Sequence, residues 1–280
     1  MTPDSVMTVK NLDTAGVWAY PSTLTVESVN ELERLGYSAL WLADPGTDLD
    51  VADRLLAATE RMVVGSYIVN VWSTPAQAAA AAFHRIDAAF PRRFVLGIGA
   101  GHREINGDYH KPLRAVVEYL DELDDLGVPR RRRALAALGP RILELARDRA
   151  AAALPYMITP DYIRSARVVV GPDTVLVAEQ KMVLTDDPER ARALGRSGLG
   201  VYLGLSNVRQ SLRRIGFRDD ELNPPGSDRL IDALVAYGTA ADVAARVREH
   251  LDAGADQVLI HPLAADNDMM PALRTLAGRL

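Results

Sequence analysis

Residues 62–99 decide the fold of this chain, and they read MVVGSYIVNVWSTPAQAAAAAFHRIDAAFPRRFVLGIG. The first part, 62–72, is an apolar run typical of a buried strand. Thr74 and Pro75 then open an alanine-rich helical stretch, 75–90, because proline is favoured at the first helical position and alanine inside a helix. Residues 94–99 form a second apolar strand. The segment therefore predicts a β–α–β unit with parallel strands.

The same alternation continues in both directions along the chain. Further strands are predicted at 17–20, 39–43, 133–138, 150–154, 175–184 and 257–263, with helical patterns between them. About eight strands, nearly all separated by helices, predict an α/β protein built as a (β/α)8 TIM barrel. An open doubly wound sheet is the alternative. Its dinucleotide-binding version lacks the expected Gly-x-Gly-x-x-Gly turn after the first strand.

One domain is predicted over 1–280, because 280 residues with 48% hydrophobic composition suit a single large core. Residues 1–10 are expected to be a flexible N-terminus. Residues 185–255 look mostly helical and are predicted to be a helical insertion before the last strand, with a lid over the site.

Composition excludes several classes of function. A net charge of −5 gives no basic surface for nucleic acid, and the absence of cysteine excludes disulfides, zinc–thiolate sites, iron–sulfur clusters and a cysteine nucleophile. No apolar run approaches the roughly 20 residues that cross a membrane. Residues 1–11 lack the apolar core of a secretory signal. We therefore expect a cytoplasmic protein that acts on a small molecule.

Candidate site residues follow the predicted strands, because barrel sites lie at the carboxyl ends of strands. Asp44 ends the strand at 39–43, and Asn70 and Trp72 lie late in the strand at 62–72. The glycine-rich end of strand 94–99 leads into Ala100, Gly101 and His102. Glycine lets a flat ligand or a phosphate approach the backbone closely.

Two further strand ends carry charge. Gly139 opens a helix that contains Arg141, and the free N–H groups of a helix start favour an anion. Glu179 and Lys181 are polar residues inside an apolar strand, which indicates either a site or a structural ion pair. The run 130–133, four arginines, is interpreted as a solvated loop at the opposite rim.

The sequence lacks the residue patterns that metal-dependent and serine-nucleophile enzymes require. The five histidines include no metal-like pair, so no metal site is predicted, and no Gly-x-Ser-x-Gly elbow is present. Strong acids and nucleophiles are scarce at the strand ends. This favours a cofactor that brings its own chemistry.

The sequence resembles the bacterial luciferase-like superfamily, in its F420-dependent oxidoreductase branch. The resemblance covers nearly the whole chain and lies in the order and spacing of short pieces. These pieces are 35–41, 65–72, 92–99, 111–113, 138–141, 178–180, 215–217, 227–234 and 253–258.

The resemblance implies a homodimeric barrel with the deazaflavin coenzyme F420 at the carboxyl rim. It implies a non-prolyl cis peptide at the third strand, at Ser66–Tyr67 or Tyr67–Ile68. The cofactor-binding residues that it implies are Asp44, Ser66, Tyr67, Asn70, Ala100, Gly101, Gly139, Arg141 and Ile142. The candidates for the substrate pocket are Trp72, Glu179, Lys181 and Tyr202, with Tyr67 as a further wall.

Departures from the family pattern affect the expected chemistry. Sugar-phosphate dehydrogenases of this branch have a histidine where Pro45 stands and a glutamate where His102 stands, so their acid–base pair is absent. The usual Ala-Asp-Gly is replaced by three alanines at 151–153. His102 is the predicted catalytic residue, as the group that moves a proton.

The predicted function is F420-dependent hydride transfer between C5 of the deazaflavin and an unidentified small organic substrate. An FMN-dependent luciferase-like monooxygenase is one alternative, and a non-catalytic flavin- or deazaflavin-binding protein is another. F420 carries an acidic oligoglutamate tail that FMN lacks, so a basic track beyond Arg141 would favour F420.

Overall fold

The computed structural model describes residues 13–107 and 109–280, so the predicted flexible N-terminus, 1–10, lies outside the described residues. The strands are β1 (Ala15–Ala19), β2 (Ala39–Ala43), β3 (Val63–Tyr67), β4 (Val69–Asn70), β5 (Phe94–Gly99), β6 (Arg133–Ala136), β7 (Ala152–Leu154), β8 (Val175–Leu184), β9 (Val235–Gly238) and β10 (Gln257–Pro262).

The α-helices alternate with these strands. They are α1 (Val26–Arg34), α2 (Asp50–Ala57), α3 (Ala76–Ala89), α4 (Pro112–Asp125), α5 (Pro140–Arg149), α6 (Pro160–Val170), α7 (Pro188–Leu203), α8 (Ser206–Arg214), α9 (Asp228–Leu234), α10 (Ala240–Asp252) and α11 (Met270–Leu276). Within the part of the chain that the structure describes, no helix has both the length and the apolar character needed to cross a membrane.

Eight parallel strands close into a barrel. Around it the order is β1, β2, β3, β5, β6, β7, β8 and β10, and β10 pairs with both β8 and β1. Val17 faces Ile260 across the closing seam, and Lys181 faces His261 on the other side of β10. The prediction of a (β/α)8 barrel is confirmed. The open doubly wound sheet was the wrong alternative, because such a sheet leaves two unpaired edges.

The barrel interior combines two tryptophans with small residues. Trp18 and Trp41 are buried there among alanines and valines of the neighbouring strands. A Cβ added at Gly65 would lie 2.4 Å from the Trp41 ring, so this position has room only for glycine. Two large rings fill the narrow lumen, and the strands opposite them supply Ala and Gly.

The predicted strand 62–72 is interrupted. The peptide bond between Tyr67 and Ile68 is cis, as the resemblance implied for one of two bonds, and β4 continues beyond it on β5. At this break the buried Ser66 hydroxyl accepts a hydrogen bond from the Gly97 N–H (2.7 Å) and donates one to the Gly97 carbonyl (2.9 Å). The Ser66 side chain thus replaces missing backbone pairing between β3 and β5.

The segment 185–255 is not wholly helical. It contains β9, which lies parallel to the carboxyl half of β8, with Lys181 opposite Val235. Helices α7, α8 and α9 surround an apolar cluster of their own, built on residues such as Leu199, Leu203 and Leu212. Helix α10 instead packs against β8 and β10 as a helix of the barrel.

The interpretation of 130–133 as a solvated loop was wrong for its second half, because Arg132 and Arg133 are buried. Arg132 donates to the Phe94 carbonyl (3.0 Å), pairs with Asp87 (2.9 Å) and lies over the Phe83 ring. Arg133 pairs with Asp124 at 2.8 Å. A planar guanidinium is tolerated in a core when carbonyls, carboxylates and aromatic faces receive its N–H groups.

Candidate functional site

The carboxyl ends of the strands meet at one rim of the barrel, which we call the mouth. Because side chains alternate along a strand, Glu179 and Lys181 of β8 point into the same interior, and β10 brings His261 beside them. The mouth therefore has a charged floor, formed by Glu179, Lys181 and His261, directly above the apolar barrel interior.

The charged floor is held by two hydrogen bonds to one carboxylate oxygen. Oε1 of Glu179 lies 2.7 Å from Nζ of Lys181 and 2.6 Å from Nδ1 of His261. Burial by itself raises the pKa of Glu179, but the two partners outweigh burial and lower this pKa to about 2. Burial and the charge of Lys181 lower the pKa of His261, against the opposing effect of Glu179. At neutral pH the floor thus holds an ionised carboxylate and a neutral imidazole.

Aromatic rings surround the charged floor. The Trp18 ring stacks on His261 at 3.9 Å between centroids, and Nζ of Lys181 lies 5.0 Å from the Tyr202 ring. Tyr67 meets Trp18 edge to face at 6.4 Å and donates its hydroxyl to the Pro155 carbonyl at 3.1 Å. Such rings exclude water and strengthen electrostatic interactions beneath them.

Helix α7 brings a second layer of tyrosines over the mouth. Tyr202, near the end of α7, lies 6.0 Å from the ring of Tyr156, which follows β7. Tyr202 also pairs with Tyr20 beyond β1, and burial raises the pKa of Tyr202 to about 12. These hydroxyls stay protonated at physiological pH and can donate hydrogen bonds.

His102 joins the loop after β5 to the second layer. Its Nδ1 lies 2.8 Å from Oδ1 of Asn207 on α8, and its Nε2 lies 3.3 Å from the Tyr156 hydroxyl. Nearby, Glu104 accepts a hydrogen bond from the backbone N–H of Ser206 at 3.0 Å, at the start of α8. Both ring nitrogens of His102 are engaged by the chain itself.

Asn70 and Gly101 form one side of the rim. Nδ2 of Asn70 donates to Oδ1 of Asn106 at 2.8 Å, and Oδ1 of Asn70 accepts from the Trp72 backbone N–H at 3.1 Å. Gly101 has φ +58°, and a Cβ added there would lie 2.8 Å from Nδ2 of both asparagines. The Trp72 indole donates to the Ala100 carbonyl at 2.7 Å. The side chains of Asn70, Trp72 and Asn106 therefore hold the backbone of this rim in place.

The start of α5 is where the sequence predicts that an anionic ligand binds. Gly139 precedes Pro140 with no side-chain cap, and the N–H groups of Arg141 and Ile142 have no acceptor in the described part of the chain. The Arg141 side chain is exposed. A Cβ added at Gly139 would lie 3.4 Å from Nη1 of Arg214, the last residue of α8. Free N–H groups beside two arginines suit a phosphate.

The structure brings some of the predicted residues together and separates others. Glu179, Lys181, Tyr67, Tyr202 and His102 meet at the mouth. Trp72 instead packs against Tyr109 and His110, at 5.7 and 5.5 Å between ring centroids. Asp44 is exposed after β2 with φ +45°. The Ser66 hydroxyl is buried between strands and does not face the mouth.

Sequence reasoning missed His261, Trp18, Tyr156 and Arg214. The signal for His261 was present: Gln257, Leu259 and His261 alternate along the last strand, so the histidine faces the interior. Tyr156 follows the weak strand 150–154, and Arg214 lies on a helix 75 positions after Gly139. No local sequence pattern indicates that these two residues lie near the site.

Comparison with solved structures shows the same architecture at low sequence identity. An F420-dependent secondary alcohol dehydrogenase, solved with an F420–acetone adduct, matches with 13% identity and a TM-score of 0.75, over 96% of this chain and 98% of that chain. The coenzyme F420-dependent tetrahydromethanopterin reductase from Methanopyrus kandleri matches with 15% identity and a TM-score of 0.69, over 96% and 98%.

A third structure binds a different cofactor. The oxygenating constituent of 3,6-diketocamphane monooxygenase from Pseudomonas putida, solved with FMN, matches with 13% identity and a TM-score of 0.67, over 95% of this chain and 96% of that chain. No curated protein sequence matches the chain. The family model for luciferase-like monooxygenases matches residues 13–257, most of the chain. This match shows that the chain belongs to the luciferase-like monooxygenase family.

Proposed function

We propose that this chain is an F420-dependent oxidoreductase, which transfers a hydride between the deazaflavin and a small organic substrate at the mouth. Members of the luciferase-like superfamily are oxidoreductases and monooxygenases. The observation that carries the choice of F420 is the pair of exposed arginines, Arg141 and Arg214, at the start of α5.

Both arginines are free to bind an acidic ligand. Neither forms an ion pair within the described residues, whereas the neighbouring Arg213 pairs with Asp219 at 2.6 Å. One phosphate, as in FMN, can be held by the N–H groups of Arg141 and Ile142. A second cation beyond them suits the acidic tail of F420, because each added negative charge needs a partner.

The rim around Gly101 suits the ring of such a cofactor. The Asn70 and Asn106 amides fill the space that a side chain of Gly101 would take and fix the backbone there, so a flat ring would lie against the other side of this backbone. When bound, F420 supplies the ring carbon C5, which accepts or donates the hydride.

The residues of the chain supply binding, orientation and water exclusion. Arg141, Ile142 and Arg214 hold the acidic end of F420, and Ala100 and Gly101 support its ring. Tyr67, Tyr156 and Tyr202 close the mouth, which keeps water from the transferring hydride. His102 remains a predicted proton-transfer residue, with its ring oriented by Asn207. A homodimer and a cytoplasmic location also remain predictions.

A second candidate is an FMN-dependent monooxygenase, supported by the similarity to the FMN-bound diketocamphane enzyme. The two proposals share the fold. They differ at the end of the site that binds the acidic part of the cofactor, where FMN needs only one phosphate contact. A non-catalytic flavin- or deazaflavin-binding protein is the third possibility that the test addresses.

The test is a fluorescence titration of the purified protein with oxidised F420 and, separately, with FMN. We expect micromolar binding of F420 and much weaker binding of FMN. Arg141→Ala and Arg214→Ala should each weaken F420 binding about 10- to 150-fold, since a hydrogen bond to a charged group contributes about 1.5–3 kcal/mol. Arg34→Ala, an exposed arginine at the opposite end of the barrel, is the matched control.

Each remaining outcome has a definite meaning. Binding of FMN alone, insensitive to Arg214→Ala, would move the protein to the monooxygenase proposal. Binding of F420 without any change in its oxidation state, across a broad screen of organic substrates, would favour the non-catalytic binding protein. Binding of neither cofactor would refute both enzymatic proposals.

A further inference from the structure

Helix α7 differs from every other α-helix in the described part of the chain, because it alone contains glycine. It has three glycines from its middle onward, Gly195, Gly198 and Gly200, and a fourth, Gly204, follows its last residue. After proline, glycine is the least favourable residue inside a helix, since it loses the most backbone entropy when the helix forms. The second half of α7 is therefore intrinsically weak.

Packing explains the first two of these glycines. A Cβ added at Gly195 would lie 2.6 Å from the side chain of Ile231 on α9. A Cβ added at Gly198 would lie 2.9 Å from the side chain of Leu263, which follows β10. A larger residue at either position would push α7 away from its neighbours or force them to shift. These two glycines therefore allow the close packing of α7.

Packing does not explain Gly200 or Gly204. Apart from chain neighbours and the helix backbone, a Cβ added at Gly200 would have no atom within 4 Å. A Cβ added at Gly204 would meet only the carbonyl oxygen of Val201, at 3.4 Å. Gly204 has φ −81°, which any residue adopts, so its backbone does not require glycine either. Both glycines thus weaken this end of the helix and improve no contact.

Tyr202 lies between these two glycines and reaches the charged floor from α7. Its ring lies 5.0 Å from Nζ of Lys181 and 6.0 Å from the ring of Tyr156. Its hydroxyl accepts a hydrogen bond from the hydroxyl of Tyr20. The adjacent Val201 is 73% exposed, so the outer side of this turn is open to solvent. The weak turn therefore carries a side chain that covers the mouth.

Buried leucines hold the chain on both sides of the turn 200–202. Leu199 and Leu203 are fully buried in the apolar cluster of α7, α8 and α9. The backbone N–H of Gly204 donates to the carbonyl of Val201 at 3.2 Å, an i to i+3 bond of the 3₁₀ type, whose geometry is poorer than that of an α-helical bond. The turn can therefore open while the leucines on either side stay packed.

We propose that residues 200–202 are a gate on the mouth, which opens when this turn leaves the helical conformation and carries Tyr202 away from the charged floor. Gly200 and Gly204 absorb the change in backbone dihedrals, as hinge residues do. In the closed state Tyr202 is held by the hydroxyl of Tyr20. Ligands enter and leave the mouth through the open state. The gate does not depend on which cofactor binds, so its test is separate from that of the proposed function.

The first experiment measures amide hydrogen exchange in the cofactor-free protein by NMR. Gly200→Ala should slow exchange at Val201 and Tyr202 about 4- to 5-fold, which corresponds to the roughly 0.8–1 kcal/mol by which alanine is favoured over glycine in a helix. Tyr202→Phe removes the hydroxyl that Tyr20 contacts and should speed exchange at both amides about 2- to 10-fold, the value of one neutral hydrogen bond. Gly107→Ala, which also meets no atom but lies outside the helices, is the control and should change neither rate.

Two results of this experiment would overturn the gate. One is the same exchange rate at Val201 and Tyr202 in wild type and Gly200→Ala. The other is a slowing in Gly200→Ala that extends equally to the barrel strands, because the substitution would then stabilise the whole fold and not one turn. Neither result needs a bound ligand, so both hold even if F420 does not bind.

The second experiment measures binding rates by stopped-flow fluorescence with oxidised F420, and with FMN if F420 does not bind. Association and dissociation both require the open turn, so Gly200→Ala should lower both rate constants by the same factor of about 4 to 5 and leave Kd unchanged. Gly107→Ala should leave both rate constants unchanged. A change in Kd with an unaltered association rate would overturn the gate, because it would mean that the turn contacts the ligand and does not control access. Failure of F420 to bind would refute the proposed function and leave the exchange result to decide the gate.

Discussion

Gly101 constrains the rim more tightly than any neighbouring position in the loop after β5. Its φ of +58° lies in the left-handed region, and a Cβ there would press on Asn70 and Asn106. Gly107, six residues later in the same loop, has no atom within 4 Å of an added Cβ. The two glycines therefore form a matched pair for one substitution.

We expect Gly101→Ala to weaken cofactor binding about 10-fold or more and to destabilise the protein by about 1–2 kcal/mol, because the backbone is strained and Asn70 must shift. Gly107→Ala should leave both quantities within about 0.5 kcal/mol of wild type. Titration with F420 and urea unfolding measure the two effects. Equal behaviour of the two variants would show that the Asn70–Gly101 rim is not part of the site.

Single arginines show the limits of reading charge from sequence. Arg130 to Arg133 have the same side chain, yet Arg131 is exposed and Arg133 is fully buried. Burial depends on whether Asp124, on the preceding helix, lies within reach of the guanidinium. A run of consecutive arginines in the sequence does not show which of them will meet an acidic partner on another element.

At the scale of elements, α7 and α8 are fastened to the mouth by few contacts. Tyr202 reaches Tyr20, Asn207 reaches His102, and Ser206 donates to Glu104. The remainder of this segment packs on an apolar cluster that also includes Met157, Val183 and Val235 and is separate from the main barrel core. Elements with few ties to the core open at lower free energy than the barrel does.

We therefore expect 198–215 to act as the lid that the sequence predicted. Hydrogen exchange in this segment should slow when the cofactor binds, while exchange in the barrel strands changes little. Glu104→Ala removes the acceptor of the Ser206 N–H and should speed exchange at the start of α8. Protection of 198–215 that is already complete without cofactor would contradict a mobile lid.

At the scale of the whole molecule, His250 makes stability depend on pH. Helix α10 buries this residue against β8, where its Nε2 lies 2.8 Å from Oε1 of Gln180 and its Nδ1 has no partner among the described residues. Burial, and the nearby charge of Arg246, lower the pKa of His250 from 6.5 to about 4. Between these two pH values the unfolded chain binds a proton that the folded chain does not, so stability is complete above pH 6.5 and falls as the pH falls.

Linkage gives the size of the effect. Between pH 7 and pH 5 this group alone should cost about 2 kcal/mol of unfolding free energy. His250→Gln keeps a donor for Gln180 but cannot titrate, so the variant should lose about that much less over the same interval. Urea unfolding at both pH values measures the difference, with His84→Gln as control. Parallel losses in wild type and His250→Gln would rule out this residue as the cause.

The sequence by itself determined the barrel and the helix start at Gly139, because both depend on local signals. Alternating strand and helix periods predict a (β/α)8 fold, and Gly139, Pro140 and Arg141 mark a helix start wherever the helix lies. Asn70 and Gly101 were predicted from their places at strand ends, whereas Tyr67 and the region of the cis peptide came from the family resemblance.

Tertiary structure alone decided the charged floor. Glu179 and His261 are 82 positions apart, and only closure of the barrel, with β10 parallel to β8, brings their side chains to 2.6 Å. The same closure stacks Trp18 on His261 from the opposite end of the chain. Local periodicity fixes which way each side chain points, but the register between distant strands fixes which side chains meet.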